Sequence, residues 1–211
     1  MKRTLLAATM LVAVVSGANA ALVASFSQND PLGPTVIATD NGTVTNIIID
    51  DASTTITAGQ TGVIPAAFLS MSATSIDAAV SFGPAVIQHY NGTFCFSSAI
   101  NCGGTNYLSG VFTDAAFGAL GGPGLTVNVN NPPDTLTLTS DIVSALNLQA
   151  PSSFNLGFAD LTPALFIDGT TIGAFTANFA GNVSASAVPE PLSVAVLGLG
   201  MLGIAATRRR A

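Results

Sequence analysis

Short runs of Thr, Val, Ile and Phe recur along the chain, and turn-forming Gly, Asn, Asp, Pro and Ser interrupt them about every 8 to 15 residues. Charged helix formers are scarce, because positions 4–207 contain no Lys or Arg and the single Glu is Glu190. The pattern predicts an all-β fold, an antiparallel β-sandwich or jelly roll. Only Ser140 to Leu148 has helical spacing, with Ser140 as its candidate N-cap.

Turn chemistry predicts three hairpins. After Asn41-Gly42, a strand at 43–50 is predicted to turn through 51–53 into a second strand at 54–57. Asn91-Gly92 is flanked by strand-like residues at 86–90 and 93–96, and Asp168-Gly169 by those at 164–167 and 170–172. Apolar and polar residues then alternate from Phe175 to Ala180, as expected of a strand with one buried face.

The charged residues are unevenly distributed. All five cations lie at the two ends of the chain, and all eleven acidic residues lie between them, which gives a formal net charge of −6. Binding of nucleic acid depends mainly on Lys and Arg contacts to phosphates. The central part of the chain is therefore predicted not to bind nucleic acid.

The N-terminal segment combines Lys2 and Arg3, an apolar run at 5–15 and the small-residue sequence Ala18-Asn19-Ala20. This order is typical of a secretory signal peptide over residues 1–20, removed by signal peptidase between Ala20 and Ala21. The alternative is an N-terminal membrane anchor. A helix of that length would cover only about half of a ~30 Å hydrocarbon core.

The C-terminal end has three parts in a fixed order: Pro189-Glu190-Pro191, an apolar Gly/Leu-rich stretch at 192–206, and the cluster Arg208, Arg209 and Arg210. As a helix, the apolar stretch would be roughly 22 Å long, and arginines that snorkel extend its reach. We therefore predict a short transmembrane helix with the arginines as its cytoplasmic stop, which leaves residues 21–190 outside that membrane.

This order, together with the N-terminal segment, resembles the PEP-CTERM sorting tail of exported bacterial proteins. The resemblance covers residues 188–211 and implies that an exosortase, a sortase-like cysteine enzyme of the membrane, recognises Pro189-Glu190-Pro191. It further implies a transient membrane association through the helix, removal of the helix, and delivery to the cell surface or exopolysaccharide matrix. The alternative is a permanent single-span anchor. The central domain resembles no family that we recognise.

These ends divide the chain into a signal peptide at 1–20, an extracellular domain at 21–187 and a sorting tail at 188–211. Cys95 and Cys102 are the only two cysteines. Because export places them where disulfides persist, we predict that they form one. The chain-entropy relation assigns so short a loop about 2.5 kcal/mol of stabilisation.

The residues needed for catalysis are sparse. His89 is the only histidine, no serine lies in a Gly-x-Ser-x-Gly elbow, and the only Glu belongs to the tail. A glycosidase would have to use a pair of aspartates, and the sequence singles out none. We predict that the protein is not an enzyme.

Calcium is the one cofactor that the sequence leaves open. Asp30, Asp40, Asp50 and Asp51 lie at predicted turns, and carboxylate and amide oxygens are ligands that calcium prefers. Asp and Asn in turns also bond their own backbone, and no EF-hand loop is present. These four aspartates are therefore candidate calcium ligands with an alternative role as turn residues.

The sequence thus predicts a non-catalytic, exported surface or matrix protein with exopolysaccharide as a candidate partner. The alternative is a calcium- or glycan-binding adhesion module of the same fold. Aromatic platforms for sugars are few, since the chain has no Trp and only two Tyr.

Overall fold

The computed structural model describes residues 20–29, 33–58, 62–82, 85–118, 123–128, 133–144 and 148–186. These residues form strands and connecting turns, with no helix among them. The strands are β1 (Ala20–Gln28), β2 (Val36–Asp40), β3 (Thr45–Ala58), β4 (Gly62–Ser75), β5 (Val80–Phe82), β6 (Ala85–Ala99), β7 (Gly103–Phe117), β8 (Gly124–Asn128), β9 (Thr135–Thr139), β10 (Gln149–Thr162), β11 (Ile167–Asp168), β12 (Thr171–Ile172) and β13 (Phe175–Ser186).

Eight strands close into one antiparallel barrel in the order β6-β4-β3-β1-β13-β10-β8-β7, and the β6–β7 pairing completes the ring. The predicted antiparallel all-β fold is confirmed. The predicted sandwich would consist of two separate sheets, whereas here strand pairing joins the walls on both sides. Three further strands extend the ring: β2 pairs with β3 and β13, β5 pairs with β6, and β9 pairs with β7. Strands β11 and β12 form a separate two-stranded sheet.

Phenylalanines from facing walls fill the interior. Phe94 of β6 stacks on Phe154 of β10 with ring centroids 4.3 Å apart, and Phe26 of β1 lies 4.6 Å from Phe96 of β6. An eight-stranded barrel is just wide enough for side chains to fill it. Alternation places these rings inside, and Phe175, Ala177 and Phe179 of β13 are buried as their spacing predicted.

Two predicted hairpins are wrong, because β3 and β6 run straight through their turn signals. At Gly92 an added Cβ would lie 2.5 Å from both the Phe112 ring and the backbone oxygen of Ser72. The glycine permits close packing inside a strand instead of a turn. The hairpin at Asp168-Gly169, between β11 and β12, is confirmed. The predicted turn pair Asn41-Gly42 lies between β2 and β3, which form a hairpin that the sequence did not predict.

Three aspartates form β-bulges. Asp51, Asp114 and Asp160 have φ of +46°, +60° and +56°, and at each one its strand carries one residue more than its partner. Left-handed backbone is tolerated better by Asp and Asn than by other residues with a side chain. These three aspartates therefore shape the strands in which they lie.

The predicted helix at Ser140 to Leu148 is wrong over its described part. The Ser140 hydroxyl accepts hydrogen bonds from the backbone N–H groups of Ile142 (3.1 Å) and Val143 (3.0 Å), as an N-cap does. The chain then bends, and residues 141–144 form no helix. The capping signal is thus satisfied by an isolated turn.

Both ends of the described chain meet at one end of the barrel. Ala20 of β1 pairs with Ser186 of β13, and we name this side of the barrel the terminal end. The predicted sorting motif at 189–191, the helix at 192–206 and the arginines at 208–210 lie outside the described residues, as does the signal peptide up to residue 19. Within the described part of the chain, no helix is long and apolar enough to cross a bilayer.

Candidate functional site

The predicted disulfide is present. Cys95 of β6 is bonded to Cys102, with their Cα atoms 5.8 Å apart, and the bridge closes the connection between β6 and β7. Strand direction places this loop at the terminal end, because β6 runs toward that end and β7 runs away from it. Asn101 and Cys102 have φ of +58° and +54°, so the bridge holds a left-handed turn.

Asp51 ties the disulfide loop to the wall of the barrel. Its Oδ1 accepts hydrogen bonds from the Ser70 hydroxyl (2.6 Å) and from the Asn101 backbone N–H (2.7 Å). The carboxylate of this predicted calcium candidate is therefore engaged by protein donors. The bulge at Asp51 turns its side chain toward the loop.

Of the other calcium candidates, Asp40 has turn partners. Asp40 Oδ1 accepts from the Gly42 N–H (3.0 Å) and from the Thr171 hydroxyl (2.7 Å), which is the turn role named as the alternative. Asp50 is exposed on β3, and Asp30 lies outside the described residues. Among the described residues no group of three His, Cys, Asp or Glu side chains could hold a metal ion.

His89 is hydrogen-bonded to an aspartate at the end of the barrel opposite the termini, the far end. Its Nδ1 lies 2.5 Å from Asp77 Oδ2, and its backbone N–H donates to Asp77 Oδ1 (2.8 Å). Both side chains are partly exposed. Within the described part of the chain, no hydroxyl or thiol is hydrogen-bonded to the imidazole, so the geometry provides a His–Asp pair without a nucleophile.

A buried polar cluster, which consists of Thr45, Gln88, Tyr90 and the backbone of Ile172, lies at the far end. Gln88 Oε1 accepts from the Tyr90 hydroxyl (2.9 Å) and from the Ile172 N–H (3.1 Å), while Thr45 donates to the Ile172 carbonyl (2.6 Å). Burial raises the pKa of the Tyr90 hydroxyl. Every polar group of this cluster has a protein partner, so it serves the structure.

The outer face of β2, β3, β4, β6, β7 and β9 carries an uncharged row of side chains that crosses the strands. Each member is the register partner of the next. We name it the central row; it consists of Ile37, Ile48, Ser72, Thr93, Val111 and Thr137. The three aliphatic members are 50%, 42% and 55% exposed, which is high for Ile and Val.

The flanking positions differ from the central row in their hydrogen bonding. On the far side Thr74 donates to Asn46 (2.8 Å), and the Thr113 and Thr135 hydroxyls are 2.6 Å apart. On the terminal side the hydroxyls of Ser109 and Thr139 are 2.7 Å apart. The hydroxyls of Ser72, Thr93 and Thr137 have no hydrogen-bond partner among the described residues and face solvent.

The surface around the central row is concave. A concavity of about 510 Å³ extends over β3, β4, β6, β7 and β9, and Asp50 is the only charged residue among the described residues that line it. A second hollow of about 410 Å³ shares Ser72, Thr93 and Val111 with it and continues toward the far end. Both volumes lie in the range of ligand sites.

Sequence reasoning missed the central row. The alternation of Thr135, Thr137 and Thr139 in β9 indicates a polar outer face, and this was the only local signal. Alignment of six strands depends on their register, which no single strand reveals. No protein-family model matches the chain, and neither the curated proteins nor the solved structures contain a match to it.

Proposed function

We propose that the protein is an exported, non-catalytic component of a bacterial cell surface or exopolysaccharide matrix, and that an exosortase sorts it. The support is the signal peptide at 1–20 and the tail at 188–211, whose Pro189-Glu190-Pro191, apolar stretch and arginine cluster follow the order of a sorting tail. Signal peptidase acts between Ala20 and Ala21, and the tail then holds the domain transiently at the membrane.

The observation that carries the proposal is the pairing of Ala20 with Ser186. Cleavage after Ala20 leaves β1 with eight of its nine residues, and cleavage near Glu190 leaves β13 whole. Glu190 follows Ser186 by only four residues in the sequence. Both processing steps therefore act at one end of a domain whose strands they leave nearly complete.

Removal of both segments also changes the charge. Five positive charges and the Glu190 carboxylate leave, so the net formal charge falls from −6 to −10. The processed domain then has no cationic side chain. Such a surface favours solubility and disfavours acidic partners.

The absence of catalysis is proposed from the surroundings of His89. Its ring is bonded to Asp77, and no nucleophile is bonded to it in the described residues. Aspartates that would serve a hydrolase are engaged in bulges and turns, as at Asp51 and Asp40.

Mass spectrometry of the protein released from the cell surface tests the sorting step. We expect a species that begins at Ala21 and lacks Arg208 to Arg210. The paired substitution Pro189→Ala and Pro191→Ala should block release, whereas Ser193→Ala, beyond the motif, should not. A released species that retains Arg208 to Arg210 would show that the tail is not removed and would overturn the proposal.

A glycan-binding module is the second candidate function, and the unpaired hydroxyls of the central row favour it. A separate experiment tests whether such a module binds calcium. A chelator should lower the melting temperature if the aspartates hold calcium, and an unchanged melting temperature counts against it.

A further inference from the structure

We infer that the central row is a binding site for a neutral polysaccharide chain that lies across strands β2, β3, β4, β6, β7 and β9. The inference deepens the proposed function, because it supplies the contact by which an exported matrix protein would hold exopolysaccharide. It stands on register, hydrogen bonding, charge and shape, all of which are observed in the described residues.

Register makes the site long and narrow. The six side chains from Ile37 to Thr137 occupy consecutive strands. Neighbouring strands are separated by about 4.8 Å, so five steps make a track about 24 Å long. An extended chain of several sugar units fits such a track better than one compact molecule does.

The hydroxyls of the central row are free to bind a ligand, whereas the hydroxyls that flank it are hydrogen-bonded within the protein. Its three hydroxyls, those of Ser72, Thr93 and Thr137, each offer one donor and two acceptor positions that no described residue uses. In each of the flanking pairs Thr113–Thr135 and Ser109–Thr139, one hydroxyl already donates to the other. A ligand that follows the row therefore meets groups that can donate and accept, which suits the hydroxyls of a sugar.

The aliphatic side chains of the central row provide apolar surface for the C–H groups of a sugar. Ile37 and Ile48 are neighbours at one end of the row, and Val111 lies between Thr93 and Thr137. All three expose about half of their surface. A pyranose ring presents C–H groups on its faces and hydroxyls around its edge. A surface that mixes aliphatic carbon with free hydroxyls is complementary to that combination, and it holds the chain without aromatic stacking.

Charge selects a neutral ligand. No Lys or Arg occurs between residues 4 and 207, so an anionic polysaccharide would find no counter-charge there. Asp50, the one charged residue that lines the concavity, would repel it. A cationic chain needs carboxylates along its length, and the central row contains none.

Shape disfavours a second copy of the same chain. A two-fold contact places the same patch of both subunits face to face. Two concave surfaces brought together would enclose a gap, whereas stable interfaces pack closely. An elongated ligand fills the concavity instead.

Binding of neutral hexasaccharides to the full chain tests the inference. Cellohexaose, laminarihexaose and mannohexaose are titrated by calorimetry in a zwitterionic detergent, because glycosidic detergents would compete, with hexagalacturonate as the anionic counterpart. At least one neutral hexasaccharide should bind, and hexagalacturonate should not. In the wild-type protein, amide NMR shifts should change on β3, β4, β6, β7 and β9.

The double variant Thr93→Val and Thr137→Val removes two hydroxyls at nearly constant volume. At about 1 kcal/mol for each lost hydrogen bond, the affinity should fall about 10- to 100-fold. Thr126→Val on β8, an exposed threonine outside the concavity, is the matched control and should bind as the wild type does. Urea unfolding of each variant checks that its stability is retained.

Four results would overturn the inference: no neutral hexasaccharide binds, the double variant binds as tightly as the wild type, hexagalacturonate binds equally well, or the shift changes map elsewhere. Dimerisation that the double variant abolishes would assign the row to a second copy and also overturn it. None of these results affects the mass of the released protein. Mass spectrometry therefore tests the sorting proposal independently of the binding inference.

Discussion

The two ends of the barrel are stabilised by different chemistry. At the far end, Gln88 of β6 accepts buried hydrogen bonds from the Tyr90 hydroxyl on the same strand and from the Ile172 backbone, which joins β6 to β12. At the terminal end, the Cys95–Cys102 bridge and the hydrogen bonds of Asp51 hold an exposed loop. A buried polar group that loses its partner is costly, whereas exposed donors regain water. The far end should therefore be more sensitive to single substitutions.

Gln88→Leu tests the far end and should have the largest effect. It leaves the Tyr90 hydroxyl and the Ile172 N–H buried without Gln88 as their acceptor. At 1 to 3 kcal/mol for each orphaned group, the free energy of unfolding should fall by about 4 kcal/mol. Urea unfolding measures it. Gln149→Leu, at an exposed glutamine on β10, is the control, and equal losses in the two variants would refute the distinction.

Removal of the bridge tests the terminal end. The double variant Cys95→Ser and Cys102→Ser restores the loop freedom of the unfolded chain, and the chain-entropy relation gives a loss of about 2.5 kcal/mol. Urea unfolding with and without a reductant checks this value. Reductant should destabilise the wild type to a similar extent and leave the variant unchanged. A loss larger than that of Gln88→Leu would reverse the proposed order of the two ends.

Asp51→Ala tests the contribution of the bulge to stability separately from that of the disulfide bridge. Alanine at φ +46° is strained by about 1 to 2 kcal/mol, and the bonds to Ser70 and Asn101 are lost. We expect a total loss of about 2 kcal/mol in urea unfolding. Asp51→Asn keeps an amide oxygen and tolerates the same φ, so it should recover most of the stability. Equal losses for Ala and Asn would instead assign the effect to the carboxylate charge.

Tyr90→Phe should have the smallest effect at neutral pH, about 1 kcal/mol for one lost hydrogen bond. The more diagnostic effect of Tyr90→Phe is on how the free energy of unfolding depends on pH. Burial raises the pKa of Tyr90, so above about pH 10 the folded protein retains a proton that the unfolded chain has released. The free energy of unfolding should therefore fall as pH rises through this range.

Urea unfolding between pH 8 and 11 measures that fall. It should be smaller in Tyr90→Phe than in the wild type, while Tyr107→Phe, at a half-exposed tyrosine, should retain it. An unchanged fall in Tyr90→Phe would show that other groups control the alkaline sensitivity.

Local sequence patterns correctly predicted the structural features that depend on residues close together in the sequence. The alternation in β13, the Asp168-Gly169 turn and the disulfide followed from residues close together in sequence. Asn91-Gly92 failed as a turn signal because the contacts of Gly92 come from Phe112 and Ser72, on other strands. The same dipeptide can serve a turn or a close approach, and only its partners distinguish them.

The aspartates illustrate the same limit. Their number and their lack of cationic neighbours are evident in the sequence, and they suggested turns or calcium. At Asp51, Asp114 and Asp160 they occupy left-handed bulges within paired strands. A bulge exists only relative to the strand beside it, so the sequence of one strand does not specify it.

The sequence by itself determined the antiparallel all-β class and the one disulfide, because strand propensity, turn chemistry and thiol pairing act over short distances. Its ends also determined the prediction of export and sorting. The tertiary structure alone decided that the sheet closes into a barrel, that Ala20 meets Ser186, and that six strands align the central row. Those features depend on register between distant segments, which only the folded chain establishes.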